Sequence, residues 1–176
     1  MESWKIGVRE GGMMNIPAMT RNILDVKDVL DRHGVKFCLY MGTLLGAVRE
    51  ENFIEWDDDA DLLTFAEDKP KMPEVIKELK AKGFYIPTEG VPASDTFIIR
   101  EGEKIDLWWY SKVNGRYQYD PDRCPGWPSY APKYLEPLAE IQFLKTTFKC
   151  PQFKEEFLNL HYSNWLIPDK NRGWRF

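Results

Sequence analysis

Four aspartates fall within five positions of the segment Trp56-Asp57-Asp58-Asp59-Ala60-Asp61, and an apolar run, Leu62-Leu63-Thr64-Phe65, follows directly. Side chains alternate between the faces of an extended chain, so Asp57, Asp59 and Asp61 share one face at steps of roughly 7 Å. Three like charges at that spacing repel unless something positive sits among them. A hard divalent cation, bound through oxygen, is the natural resident. Upstream, Gly42-Thr43 reads as a turn whose backbone N–H groups would suit a phosphate. Metal beside phosphate is the chemistry that these residue types suggest.

Two other readings fit the acidic run less well. A solvated acidic turn is the usual fate of such a run, but here Trp56 precedes it and an apolar strand follows, which puts it at a strand's mouth. A calcium loop of EF-hand type would need Gly at its sixth position and Glu at its twelfth. Those positions are Leu62 and Asp68. A catalytic metal site needs a further acid on a neighbouring strand. Lys104-Ile105-Asp106-Leu107-Trp108-Trp109 supplies one, because a lone Asp in an apolar strand is costly unless it is paired with a cation or hydrogen-bonded. Asp59, Asp61 and Asp106 are the predicted ligands, with Asp58 facing away. Such three-acid sites hold Mg²⁺, with Mn²⁺ as the alternative.

The elements that must position these acids are legible from periodicity. Asn15-Ile16-Pro17 opens a helix by an N-cap-then-proline pattern; Met19, Ile23, Val26 and Leu30 form its inner face, and Gly34 closes it. Val35 to Met41 reads as a buried strand, and Leu44 to Glu50 as a short helix bearing Arg49. A strand over Ala60–Phe65 is followed by a helix over Pro73–Lys82. Strands are predicted at Phe84–Ile86, Asp95–Arg100 and Lys104–Tyr110, the last two joined by a tight turn at Glu101-Gly102-Glu103. Residues 117–137 read as an ordered but irregular loop, and Ile141–Phe148 as a strand or strand pair. Gln152–Tyr162 reads as a closing helix with Phe153, Phe157 and Leu160 on one face. The predicted class is α/β (α+β): a small mixed β-sheet flanked by helices.

Bulk properties narrow the function. The chain has 176 residues, 43% of them hydrophobic, enough for one compact core. The expected organisation is an N-terminal extension over 1–16 and a single domain over 17–176. The formal charge of −4 carries no basic footprint for duplex nucleic acid. Cys38, Cys124 and Cys150 form no CxxC pair and only two histidines are present, which argues against a Cys/His zinc site. Their odd number and wide spacing favour a reducing compartment. No segment approaches the ~20 apolar residues needed to cross a bilayer, and the first residues lack a signal-peptide pattern, so the expected location is cytoplasmic.

Other residues carry weaker signals. Tyr117, Tyr119, Trp127, Tyr130 and Tyr134 would stack a base or sugar, but packing their loop onto the domain is the simpler reading. Arg100, Lys104, Arg116, Arg123 and Lys133 read as surface charges that would meet phosphates only in a site. Cys38 reads as core, His33 as a favourable cation at a helix C-terminus, and His161 as structural.

Met41-Gly42-Thr43-Leu44-Leu45-Gly46-Ala47-Val48-Arg49, followed by Phe53-Ile54, Trp56-Asp57, Asp59 and Asp61, resembles the LicD/fukutin family of the nucleotidyltransferase-fold superfamily. The likeness extends to His33-Gly34-Val35, to Ile105-Asp106-Leu107 and to Phe157-Leu158, Tyr162 and Trp165. It spans roughly residues 17–168. Asn52 and Ser163 stand where glycine is common in the family.

The resemblance implies a nucleotidyltransferase-like fold and a Mg²⁺-dependent phosphotransferase. A phosphorylated small group, phosphocholine or an alditol phosphate, would pass from a CDP-activated donor to a glycan or other hydroxyl acceptor. Carried over by position, Asp59, Asp61 and Asp106 would hold the metal with Asp57 assisting. Gly42 and Thr43 would cradle the donor phosphates, and Arg49 would pair with phosphate. Either Asp57 or Asp106 would take the acceptor's proton. Two alternatives stay open: transfer of a nucleoside monophosphate from an NTP, and a catalytically silent binding domain of the same fold. The second expects loss of the acids, and all four are present.

Overall fold

A computed structural model describes residues 13–87, 95–120 and 126–170. Most of the expected extension over 1–16 therefore lies outside the described residues, as do Arg123 and Cys124.

The chain opens with helix α1 (Ile16–Arg32), whose start and face follow from its sequence. The Asn15 side chain accepts from the Ala18 N–H at 3.2 Å, which satisfies one of the orphan donors of the first turn. Met19, Ile23, Val26 and Leu30 are fully buried. Gly34, at φ +65°, turns the chain out of the helix through the left-handed region that favours glycine. Strand β1 (Phe37–Leu39) then leads into helix α2 (Met41–Arg49). The expected strand to Met41 is thus shorter, and Gly42-Thr43 lies in the first turn of a helix rather than in a free turn. Met41 makes the corner with φ +45°.

Strand β2 (Asp59–Phe65), a 3₁₀ segment (Ala66–Lys71) and helix α3 (Met72–Ala81) follow. Phe84–Ile86 makes only an isolated bridge, Tyr85 with Ile99, rather than a strand. Strands β3 (Asp95–Arg100) and β4 (Glu103–Val113) form the predicted hairpin. Glu101 and Gly102 both have positive φ, as a two-residue turn of this twist demands.

The stretch over 117–137 is more regular than its Pro- and Tyr-rich composition suggests. It contributes strands β5 (Arg116–Gln118) and β6 (Ser129–Tyr130) and a single helical turn, α4 (Pro132–Leu135). Tyr117 pairs with Tyr130 across β5 and β6, a contact that no local pattern announces. Strands β7 (Ala139–Phe143) and β8 (Thr146–Cys150) form a separate hairpin. Helix α5 (Lys154–His161) closes the chain, but its inner face is Phe157, Leu158 and His161. Phe153 sits before the helix in the left-handed region and is 57% exposed, and Leu160 is 44% exposed, so neither belongs to that face.

The main sheet runs β1-β2-β4-β5-β6, with β3 also paired to β4. The β2–β4 pair is parallel; the other neighbours are antiparallel. The sheet is therefore mixed, flanked by helices, in agreement with the α/β class. β4 is its spine: it pairs with β2, β3 and β5 and carries Asp106 near its start. The aromatic residues of the 117–137 stretch pack inward, with Tyr117, Tyr119, Tyr130 and Tyr134 all buried. Cys38 and Cys150 are buried free thiols. No helix among the described residues is long and apolar enough to cross a membrane.

Candidate active site

The parallel register of β2 and β4 places Asp59 opposite Lys104 and Asp61 opposite Asp106. Alternation along each strand then puts Asp59, Asp61, Lys104, Asp106 and Trp108 on one face. Asp59, Asp61 and Asp106 each offer a carboxylate oxygen, and these oxygens lie within 4.8 Å of one another. A second such grouping joins Asp57, Asp58 and Asp59, of which Asp58 is exposed.

Each acid of the β2–β4 group has a protein donor on one oxygen. Lys104 Nζ lies 3.0 Å from Asp59 Oδ2 and 2.8 Å from Asp106 Oδ2. Trp108 Nε1 donates to Asp61 Oδ1 at 2.7 Å, and Trp108 itself stacks on Trp127 with ring centroids 5.2 Å apart. Asp106 Oδ1 is buried with no donor. An acceptor stranded in that way costs on the order of 1–3 kcal/mol unless something cationic meets it.

Crowding of like charges away from water shows in the acids' proton affinities. Burial pushes the Asp57 carboxyl up to about 7, with Asp59 adding to the effect. Burial likewise pushes Asp106 up to about 7, against the opposing pull of Lys104. Asp61 is raised well above the carboxylate range by burial and by Asp59 and Asp106. The oxygen-only donor set and the orphaned Asp106 oxygen both fit a hard divalent cation.

The N-terminal end of α2 abuts the same acids. A β-carbon at Gly42 would overlap Asp57 Oδ2, so only glycine allows this close approach. The Thr43 hydroxyl, buried, accepts from the Asp61 N–H at 2.8 Å and ties α2 to β2. Tyr40, just before α2, donates its N–H to the Asp61 carbonyl at 3.1 Å. Its hydroxyl is shared with those of Tyr110 (2.7 Å) and Tyr130 (2.6 Å), and Tyr130 in turn meets His161 Nε2 at 3.0 Å. Burial pushes His161 down to about 4, which makes it a neutral structural partner.

These residues open onto a cleft of about 400 Å³. Gly42, Asp57, Asp59 and Asp61 line its acidic side, and Ile54, Trp56, Tyr162 and Trp165 line an apolar side. Arg49 also faces the cleft; its guanidinium reaches Glu50 and donates to the Trp165 carbonyl at 3.1 Å. The predicted site residues Gly42, Thr43, Arg49, Asp57, Asp59, Asp61 and Asp106 thus converge around the cleft, with Thr43 and Asp106 lying beneath its surface rather than lining it.

Among the residues read as surface charges, two are embedded. Arg100 pairs with Asp25 and lies over the Phe84 ring. Lys104 belongs to the acid cluster itself. Its signal was present in the sequence: two residues before Asp106 on a strand means the same face. His33, read as a helix-terminal cation, caps α1 and bonds Glu78 at 2.8 Å.

Known proteins resemble this chain in sequence and in fold. A family model described as LicD/FKTN/FKRP, nucleotidyltransferase domain, matches residues 34–152. Ribitol 5-phosphate transferase FKRP of Homo sapiens is 28% identical over 153 residues, 81% of this chain and 30% of that protein. Lipopolysaccharide cholinephosphotransferase LicD of Haemophilus influenzae is 38% identical over 55 residues, 31% of this chain and 21% of that protein. The chain spans about half or less of the length of the curated relatives it matches. Lincosamide antibiotic adenylyltransferase LnuA, in its lincomycin-bound crystal structure, superposes with a TM-score of 0.55 at 15% identity, covering 94% of this chain and 92% of that one. The fold is that of the nucleotidyltransferases.

Proposed function

The chain belongs to the LicD/FKTN/FKRP family of nucleotidyltransferase domains, and we propose that it transfers a phosphorylated small group from a CDP-activated donor to a hydroxyl acceptor, a glycan in the first instance. The observation that carries this reading is the convergence of Asp59, Asp61 and Asp106, one with a buried oxygen lacking any donor, at the wall of a cleft that also holds Gly42 and Arg49. Asp59, Asp61 and Asp106 would hold Mg²⁺, or Mn²⁺ in its place. Bound there, the cation would neutralise charge on the donor's phosphates and on the leaving nucleotide.

The chain's own groups supply the rest. The first turn of α2 leaves its N–H groups without helical partners, the arrangement that receives phosphate oxygens, and Gly42 brings that backbone to the cleft. Thr43 supports this turn through Asp61 rather than from the cleft surface. Arg49 presents a guanidinium matched to a phosphate. Asp57 is the better placed of the two candidate bases, because it lines the cleft while Asp106 lies beneath it. Asp57 would accept the proton of the attacking hydroxyl as the bond to phosphorus forms and the bond to CMP breaks. The apolar wall of Trp56, Tyr162 and Trp165 offers faces for a base or sugar.

The two relatives with named activities differ in the group they carry, ribitol 5-phosphate in one and phosphocholine in the other. Either payload fits the same chemistry. Free buried thiols at Cys38 and Cys150 accord with a reducing, cytoplasmic setting. The test is to incubate the protein with Mg²⁺, a panel of CDP-linked donors and NTPs, and simple glycan acceptors, and to separate the products. Released CMP supports the reading. Pyrophosphate released from an NTP, with no CMP from any CDP-linked donor, replaces it with nucleotidyl transfer.

A further inference from the structure

Lys104 carries an ammonium into the acid cluster. Its Nζ bridges Asp59 Oδ2 and Asp106 Oδ2 at 3.0 and 2.8 Å, and its side chain is only 15% exposed. The backbone that carries the two carboxylates is placed without it. Asp59 and Asp106 stand on strands paired in continuous parallel register from Asp59–Lys104 to Phe65–Tyr110. Asp61, between them, is oriented by the Trp108 indole. What Lys104 adds to that backbone frame is a positive charge held between two of the acids.

A divalent cation bound to the same two carboxylates would sit a few ångströms from the ammonium, and like charges at that range in a partly buried site repel strongly. We propose that Lys104 is a built-in counter-ion that competes with the divalent cation for Asp59 and Asp106, and so sets the metal affinity of the site. In that same position the ammonium also lies over the Phe97 ring, 5.5 Å from its centroid. An anionic donor would offset the repulsion, so cation and donor bind best together. This inference rests on the proposed reading that Asp59, Asp61 and Asp106 are metal ligands.

The experiment is a Mn²⁺ titration of the chelator-stripped full chain, read by electron paramagnetic resonance of the free ion, for wild type, Lys104→Met and Lys104→Arg. Lys104→Met is expected to bind Mn²⁺ at least about tenfold more tightly, because a charge has been removed from the ligand set. Lys104→Arg, which keeps the charge, is expected to stay within about threefold of wild type. If Lys104→Met loses its cooperative thermal unfolding, Lys104→Gln carries the same expectation. Unchanged or weaker Mn²⁺ binding in the charge-removing variant would overturn the role of Lys104 alone, since an orienting residue weakens the site when removed. Absence of Mn²⁺ binding in wild type and in Lys104→Met alike, with a CDP-linked donor present, would overturn the metal reading itself.

Discussion

Asp61 and Asp106 are register partners on the parallel strands β2 and β4, both almost fully buried. Burial raises the hold of Asp61 on its proton, and Asp59 and Asp106 add to it. The sheet thus gathers three acids around one ammonium, that of Lys104. Asp61 lies at the cleft and Asp106 beneath it, so the pair links substrate space to the strand that forms the spine of the sheet.

Two glycines of α2 separate site from fold. Gly42→Ala would push a methyl group against the Asp57 carboxylate, a side-chain end that can shift. Turnover should fall about tenfold or more while stability changes by less than about 1 kcal/mol. Gly46→Ala would place its methyl 2.5 Å from the Asn52 carbonyl, a backbone atom that cannot yield cheaply. It should destabilise by about 1–3 kcal/mol. Urea unfolding and initial-rate assays on both variants distinguish the two outcomes.

Trp108→Phe removes the indole donor to Asp61 and keeps a ring to stack on Trp127. Loss of an outer-shell partner of a ligand typically costs 10–100-fold in metal affinity. Mn²⁺ affinity should fall by about that factor, with the far-UV circular dichroism of wild type retained. An unchanged affinity would show that Asp61 needs no indole to orient it.

Metal affinity should depend on pH. Asp57 and Asp106 are both pushed up to about 7 in the cation-free protein, so they hold protons below that pH and must release them to serve as ligand or helper. Mn²⁺ affinity should rise as pH passes upward through about 7. Calorimetric titration at pH 6 and pH 8 checks this, and weaker binding at pH 8 would contradict it.

His161 gives a second pH dependence, this one of stability. Its folded-state value lies near 4, below the ordinary 6.5, because burial penalises the imidazolium. The unfolded chain therefore takes up a proton first as pH falls. His161 costs nothing above about 6.5, and stability is lost as pH drops from there towards about 4, by up to about 3 kcal/mol. The raised acids act in the opposite sense over the same range, but equally in wild type and in His161→Gln. The difference in unfolding free energy between the two proteins should thus change with pH in the direction of His161, favouring the variant at pH 5.

Much of this site was legible before the structure. Alternation along a strand put Asp59 and Asp61 together, and the cost of a lone buried acid singled out Asp106; Asp57 lines the cleft too, but from before β2 begins, so strand alternation does not place it. The inner face of α1 followed from its period. What escaped was set by tertiary contact. Gly42-Thr43 read as a turn because glycine and threonine are weak helix formers; in the fold they lie in the first turn of α2, where Gly42 admits the close approach of Asp57 and Thr43 accepts from the Asp61 N–H. The β5–β6 pair is short and its partners are chosen by the sheet, so proline and tyrosine content masked it. On α5, Phe153 and Leu160 matched a helical face that the rest of the molecule does not cover. Lys104 read as a surface charge, although its place two residues before Asp106 fixed it on the face of the acids.

The central claim is that the acids of β2 and β4 together drive release of CMP from a CDP-linked donor. The most direct measurement compares CMP release by wild type, Asp58→Asn and Asp106→Asn at saturating Mg²⁺, with melting temperatures recorded in parallel. Asp58 is exposed and Asp106 is buried in the cluster. Asp58→Asn should keep the wild-type rate, and Asp106→Asn should lose about a hundredfold or more without loss of cooperative unfolding. Wild-type CMP release by a folded Asp106→Asn would contradict the account.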